Sequence, residues 1–183
     1  KSLINLIKNE ANPLVKLHLV DALLIFNNPQ KTELIKGELS SGNDYRVTVS
    51  LINAIDDRAY EDLKLEVIKF IGSENEHIET AAAKFFANSG TYKDSALYRE
   101  LDGKARYWEA KNQLIKARLY HRLTTDINFK YLYTSLENAP NEWARAQLYT
   151  TMGNNPIFLD SLTSLYARET NQTAKTYCLE AIC

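Results

Sequence analysis

Glycine and proline are scarce in this chain, six and four among 183 residues. With 45% hydrophobic residues, that scarcity excludes a disordered or low-complexity chain and favours helices, which those two residues break. Cysteine is nearly absent. Cys178 and Cys183 lie five apart in a helical pattern, so they point about 140° apart and are poorly placed to pair with each other. Neither charge is in excess: 22 basic and 23 acidic residues leave a formal net charge of −1, which gives no global drive toward nucleic acid or an anionic membrane. No run approaches the roughly 18 apolar residues of a spanning helix, and no basic, apolar, small-residue leader is present. Motifs of chemistry are missing too: there is no Gly-rich phosphate loop, no serine elbow and no Cys with a matching His. His18, His77 and His121 are dispersed without partners at metal-ligand spacing, so they suit structural roles. No catalytic, metal or cofactor residue is assigned.

What the chain has instead is self-similarity. A small or β-branched residue followed by a polar one recurs at Val15-Lys16, Val47-Thr48, Ile78-Glu79, Ala110-Lys111, Ala144-Arg145 and Ala174-Lys175, at spacings of 32, 31, 32, 34 and 30 residues. Four positions on stand Leu19, Leu51, Ala82, Leu114, Leu148 and Cys178; seven on stand Ala22, Ala54, Phe85, Ala117, Thr151 and Ala181. Offsets of 0, 4 and 7 are one face of a helix, and small residues in the third column let a neighbouring helix approach. Three positions before the anchors come Asn12, Asp44, Asn75, Tyr107, Asn141 and Asn171, five of them good N-caps. Each anchor therefore starts a second helix, B. Asn141 to Met152 is the clearest copy.

Shorter amphipathic stretches, the A helices, lie between: around Leu3 to Ile7, Leu34 to Leu39, Leu63 to Ile71, Leu97 to Leu101, Phe129 to Leu136 and Phe158 to Leu165. Turn formers such as Asn28-Pro29, Ser41-Gly42-Asn43, Gly72-Ser73 and Asn138-Ala139-Pro140 separate the helices. Nothing reads as a strand. The pattern predicts an all-α fold, an α-solenoid of about six antiparallel two-helix units forming a single array over residues 1–183. The stretch Lys93 to Trp108 is least regular: Tyr107 stands where a cap is wanted and Asp102-Gly103 interrupts the A-to-B connection, so a distorted unit or bend is expected there. The chain opens without Met, closes in mid-pattern and has a polar capping unit at neither end, which predicts a fragment of a longer protein.

The unit length, the Val/Ala-Lys/Arg pair and the Leu and Ala columns resemble HEAT repeats across essentially the whole chain, with a period nearer to bacterial HEAT-like arrays than to the longer eukaryotic unit. Asp44-Tyr45-Arg46-Val47, Ala81 to Phe86, Tyr107-Trp108 and Thr176 to Ile182 look like the HEAT-repeat region of bacterial proteins that also carry a cyclophilin-type peptidyl-prolyl isomerase domain. The resemblance implies a HEAT-like superhelix acting as scaffold. It places the isomerase in a separate β-barrel, whose Phe-His-Arg and Gln-Gly-Gly stretches have no match here. The fragment is then not itself an enzyme although its parent would be one, in a compartment that the resemblance allows to be the bacterial cell envelope or periplasm.

Charged residues supply the candidate surface. The acids Asp56, Asp57, Glu61, Asp62 and Glu66 fall mostly at a turn and a helix start, where anions suit the helix dipole, so a solvated face explains them better than acid/base work. The basic run Lys104, Arg106, Lys111, Lys116, Arg118 and Arg122 is interleaved with Trp108 and Tyr120 and invites comparison with HEAT-like DNA glycosylases. Only Lys111, Arg118 and Arg122 share a helical stripe, short of the track that counterion release needs. The polar column Lys16, Thr48, Glu79, Lys111, Arg145 and Lys175 reads either as a ladder between units or as a partner-facing row. Lys111, Arg118, Arg122, Arg145 and Lys175 are the candidate partner-binding residues. The partner is expected to be a protein, or an adjoining domain of the same chain. The rival readings are a HEAT-like nucleic-acid or pigment-lyase enzyme and a plain structural spacer.

Overall fold

The computed structural model describes residues 2–23, 25, 30–120 and 129–183. Among them stand twelve α-helices and no strand, so the fold is all-α. They come in consecutive pairs: α1 (Leu3–Asn9) with α2 (Pro13–Leu23), α3 (Lys31–Leu39) with α4 (Tyr45–Asn53), and α5 (Tyr60–Ile68) with α6 (Glu76–Ser89). The series goes on with α7 (Ser95–Lys104) and α8 (Trp108–Tyr120), α9 (Phe129–Glu137) and α10 (Glu142–Gly153), and α11 (Leu159–Arg168) and α12 (Gln172–Ile182). Single 3-10 turns at Asp57–Ala59, Tyr92–Asp94 and Pro156–Phe158 lead into α5, α7 and α11. The expected turn at Asn28-Pro29 lies outside the described residues. No helix among the described residues is long and apolar enough to cross a membrane.

The even-numbered helices begin where the capping residues stand. Asn75 Oδ1 accepts from the His77 and Ile78 N–H groups, Asn141 from Ala144, Asn171 from Ala174, and Asp44 from Arg46. Asn12 accepts from Leu14 at 3.0 Å, with Pro13 at the first helical position, where its missing N–H costs nothing. The irregular region departs from expectation at one point. Asp102 and Gly103 do not interrupt anything: α7 runs through both to Lys104, because a glycine in a last helical turn costs only about 1 kcal/mol of propensity.

Packing follows chain order. Each even helix meets its own partner and the next even helix, in the sequence α2, α4, α6, α8, α10, α12, while α1, α3 and α5 meet in the same way. That order is compatible with a helical repeat. It requires every inner B helix to be apolar on two sides, and α8 shows the result: Ala110, Leu114 and Ala117 join a core running from Ile4 through α6, whereas Ile115 and Leu119 join a second core with Leu148, Met152, Phe158 and Cys178. The columns at offsets 4 and 7 are the inner seam. Leu51, Ala82, Leu114, Leu148 and Cys178 are fully buried, each leucine contributing about 2 kcal/mol from area removed from water. Val15 is the exception among anchors at 44% exposed.

Between α5, α6 and α7 the core is aromatic. Tyr60 stacks on Phe85 at 5.1 Å, and Phe86 lies edge-on to Phe85 at 5.1 Å and to Tyr98 at 6.4 Å. The two phenols are anchored: Tyr98 Oη donates to the Thr91 carbonyl at 3.0 Å and Tyr60 Oη to Asp94 Oδ2 at 2.8 Å. Asp94 also receives Lys64 Nζ at 3.1 Å and the Thr91 hydroxyl at 3.1 Å, so three donors satisfy a buried carboxylate.

Candidate interaction surface

Each B helix has three sides with different work. From α4 onward the anchors and offsets 4 and 7 face the seam, whereas in α2 the buried residues are Val20 and Leu23, one position later. In α2, α6 and α10 the position after the anchor turns toward the next pair and ties it down. Lys16 Nζ meets Glu38 on α3 at 2.6 Å, and Arg145 Nε meets Glu169, just past α11, at 3.0 Å. Glu169 gathers more, accepting from Tyr149 Oη at 2.9 Å and from the Asn171 N–H at 2.9 Å.

Glu79 is the extreme member of this column, wholly inaccessible and with no cation paired to it among the described residues. Its carboxylate accepts the Gly72 N–H at 2.6 Å, the Arg106 N–H at 3.0 Å and the Tyr107 N–H at 2.8 Å. Gly72, at φ +89, takes the left-handed conformation that delivers its N–H there. Tyr107 offers no capping oxygen to α8, and a glutamate from the preceding B helix supplies one to the backbone there. The Tyr107 phenol reaches back to the Glu74 carbonyl at 2.6 Å, closing the junction from the other side.

Asp94 and Glu169 both titrate below the ordinary carboxylate range. In each, burial pushes the pKa up, and the hydrogen bonds together outweigh it: from Tyr60, Lys64 and Thr91 onto Asp94, and from the Asn171 N–H, Arg145 and Tyr149 onto Glu169. The folded state therefore prefers the ionised form. This stabilisation is complete only above about pH 5, where unfolded carboxylates are largely ionised, and is lost as pH falls through the folded pKa values. Urea midpoints should accordingly drop between about pH 5 and pH 2. Asp94→Asn with Glu169→Gln should flatten the drop; an unchanged pH profile would show that these two carboxylates do not carry it.

The five cationic candidates do not form one exposed patch. Arg118 is 6% exposed, its guanidinium 4.3 Å above the Tyr131 ring, whose hydroxyl bonds Asp102. Arg145 is taken by Glu169, and Lys175 Nζ lies 4.9 Å over the Tyr166 ring of the neighbouring α11. The Lys111 ammonium has no hydrogen bond or ion pair among the described residues and borders a small hollow with Trp108, Tyr131 and Asn138. Arg122 lies outside the described residues, as does His121. His18 is exposed, and His77 is exposed and stacks on Tyr45 at 5.7 Å. Among the described residues no three His, Cys, Asp or Glu side chains converge as metal ligands would. Cys178 is buried, which raises its thiol pKa to about 11, and neither it nor Cys183 is in a disulfide.

The third side of the B helices is the open one. Two grooves run along it, at matching offsets from the anchors. The first, between α4 and α6 and reaching α8, is bordered by Asn53, His77, Thr80, Lys84 and Glu109. The second, about 510 Å³, crosses α8, α10 and α12 and is bordered by Asn112, Gln113, Trp143, Gln147, Asn154 and Tyr177 among others. Trp143 is 56% exposed and meets Tyr177 edge-on at 6.1 Å. Below them Asn112 Nδ2 donates to Gln147 Oε1 at 3.2 Å, and Thr151 Oγ1 donates to the Gln147 carbonyl at 2.8 Å. An open, nearly uncharged trough walled by two aromatics and floored by amides can hold a ligand and orient it. Among the described residues that border it there is no carboxylate, His or Cys.

Charge screening of the sequence passes over this groove, since its only charged border is Lys116. The signal that marks it is positional. Gln113, Gln147 and Tyr177 all stand three residues after their anchors, and His77, Glu109 and Trp143 one before, on the face left over once seam and ladder are assigned. No family model matches the chain, and neither a curated protein nor a solved structure does.

Proposed function

We propose that this chain is a HEAT-like α-solenoid module that binds a polypeptide partner along its B-helix face, at the groove crossing α8, α10 and α12. It serves as the non-catalytic part of a larger bacterial protein of the isomerase type that its sequence resembles. The observation that carries the binding reading is the groove: an exposed tryptophan and tyrosine beside a row of side-chain amides, on a face that the packing of successive B helices leaves open. Exposed aromatics beside adaptable polar groups are the composition of protein-recognition surfaces. The solenoid reading is supported by the ordered packing of α2 through α12 and by the ladder that ties successive pairs together.

The nucleic-acid alternative is weakened at its basic stripe, because Arg118 is inside, laid on the Tyr131 ring. A peptide array of diverse twelve-residue segments, probed with the chain and with a Trp143→Ala, Gln147→Ala double variant, tests the proposal. Binding spots that vanish with the variant are expected. An array with no spot above background, or spots that the variant leaves unchanged, would overturn it.

A further inference from the structure

The outermost helix pairs repeat the two halves of a contact that the interior already makes. Where α10 meets the α11–α12 pair, it turns Arg145 and Tyr149 outward, one and five positions after its anchor, and both reach Glu169. The receiving side of α12 offers its anchor Ala174, fully buried, and Ala181, which lies against Gly153. Both halves recur without a counterpart. On α12 the outward position is Leu179, 44% exposed where its equivalent Tyr149 is 3% exposed. On α2 the receiving anchor Val15 is exposed, as are Leu14 and, in α1, Leu6, which helps to border a hollow with Asn5, Asn9 and Glu10.

Charge identifies what fits. Glu10 and Glu169 each stand two residues before the capping asparagine of a B helix, and each accepts that asparagine's backbone N–H on Oε1, from Asn12 at 2.8 Å and from Asn171 at 2.9 Å. Glu169 Oε2 then takes Arg145 and Tyr149 from the preceding B helix. Glu10 has the same local setting, and among the described residues no cation meets it. It is a ladder acid with one side unused. At the other extreme Lys175 stands one position after its anchor, as Lys16 and Arg145 do, and those two reach an acid of the following pair. Lys175 has no such acid among the described residues, and its ammonium rests over the Tyr166 ring of its own pair. The first pair therefore offers a ladder acid and the last pair a ladder cation, each beside exposed apolar side chains. An unrelated helix would have no reason to carry a cation one position after a small anchor and an apolar residue four positions beyond that; α12 carries both.

We propose that the α1–α2 face docks the α11–α12 pair of a second copy of this chain, with α12 set against α2 of the next copy as α10 is set against α12, Lys175 paired with Glu10, and Leu179 covered by the side that Val15 and Leu14 leave open. The inference rests on the packing of α10 on α12 and stands apart from the peptide groove. An exposed ion pair contributes little by itself, so the apolar cover carries the affinity and the pair fixes the register. Two different surfaces meet, so the contact is head to tail and does not end at two copies. Sedimentation velocity of the 183-residue chain, from micromolar to submillimolar concentration, tests it. The average mass is expected to rise with concentration and to pass that of a dimer. Glu10→Lys and Lys175→Glu should each weaken association at least tenfold, because like charges then face one another. An equimolar mixture of the two variants should associate as the parent does, since every contact between unlike variants again pairs opposite charges; circular dichroism confirms that each variant folds. A chain that stays monomeric throughout would overturn the proposal and leave that face to a different occupant. A mass that levels off at two copies would overturn it in favour of a symmetric contact. So would variants that associate as the parent does, or a mixture that associates no better than its components, since a purely structural loss at Glu10 is not repaired by mixing.

Discussion

Replacing Glu79 by alanine should lower the stability of the chain by about 3–5 kcal/mol, the cost of orphaning several buried backbone N–H groups at about 1–3 kcal/mol each. Three donors, Gly72, Arg106 and Tyr107, converge on this one carboxylate, which has no contact with water. Two of them sit at the entry to α8, whose expected cap position is held by Tyr107. Their only route to satisfaction therefore runs through a neighbouring B helix. Glu79→Gln should be costly as well, because its amide group would point N–H at N–H on one side of the site. The loss would appear in urea unfolding as a lower midpoint at unchanged slope, and amide exchange at Arg106 and Tyr107 should accelerate before the rest of α8. A cost under about 1 kcal/mol would mean that water enters the junction and satisfies the donors, against the burial described for Glu79.

Glu79 also shows where sequence reasoning stops. The anchor-plus-one column is visible by spacing alone, and so is its use as a ladder at Arg145, where a cation needs an anion. What spacing cannot show is that the ladder position in α6 does the work of the missing cap on α8, since the two are 27 and 28 residues apart in the chain. Local signals fared better. Asn12, Asp44, Asn75, Asn141 and Asn171 cap the helices that they precede, because a cap is a contact two or three residues long. Charge misleads for the opposite reason. A stripe of Lys111 and Arg118 looks exposed on a helical wheel, yet an arginine can lay its flat head on an aromatic ring from a distant helix, as Arg118 does on Tyr131. The groove residues lie in plain view but have uncharged side chains, and only the three-sided division of the B helices separates Gln147 from an ordinary surface glutamine.

Gly90→Ala should destabilise the chain by about 3 kcal/mol, the upper end of what overpacking a tight site costs. The backbone is not the reason: Gly90 closes α6 at φ −67, a conformation open to any residue. A Cβ at this position would overlap the Phe86 carbonyl oxygen and the Tyr98 hydroxyl. Neither can step aside. The carbonyl belongs to the last turn of α6 and accepts the Gly90 N–H, while the Tyr98 ring is fully buried against Phe86 with its hydroxyl held by the Thr91 carbonyl. Relief would require moving α7 away from α6 and opening the aromatic core that Tyr60, Phe85 and Phe86 share. Gly37 and Gly103 make the internal control, since a Cβ there meets nothing within 4 Å and both sit in helices. Alanine at those two positions should raise stability by about 0.5–1 kcal/mol each from helix propensity. Thermal melts of the three single variants read the contrast directly. One substitution should lower the midpoint and two should raise it, and a Gly90→Ala protein as stable as the parent would show that α6 and α7 are not packed at that point as tightly as Tyr98 indicates.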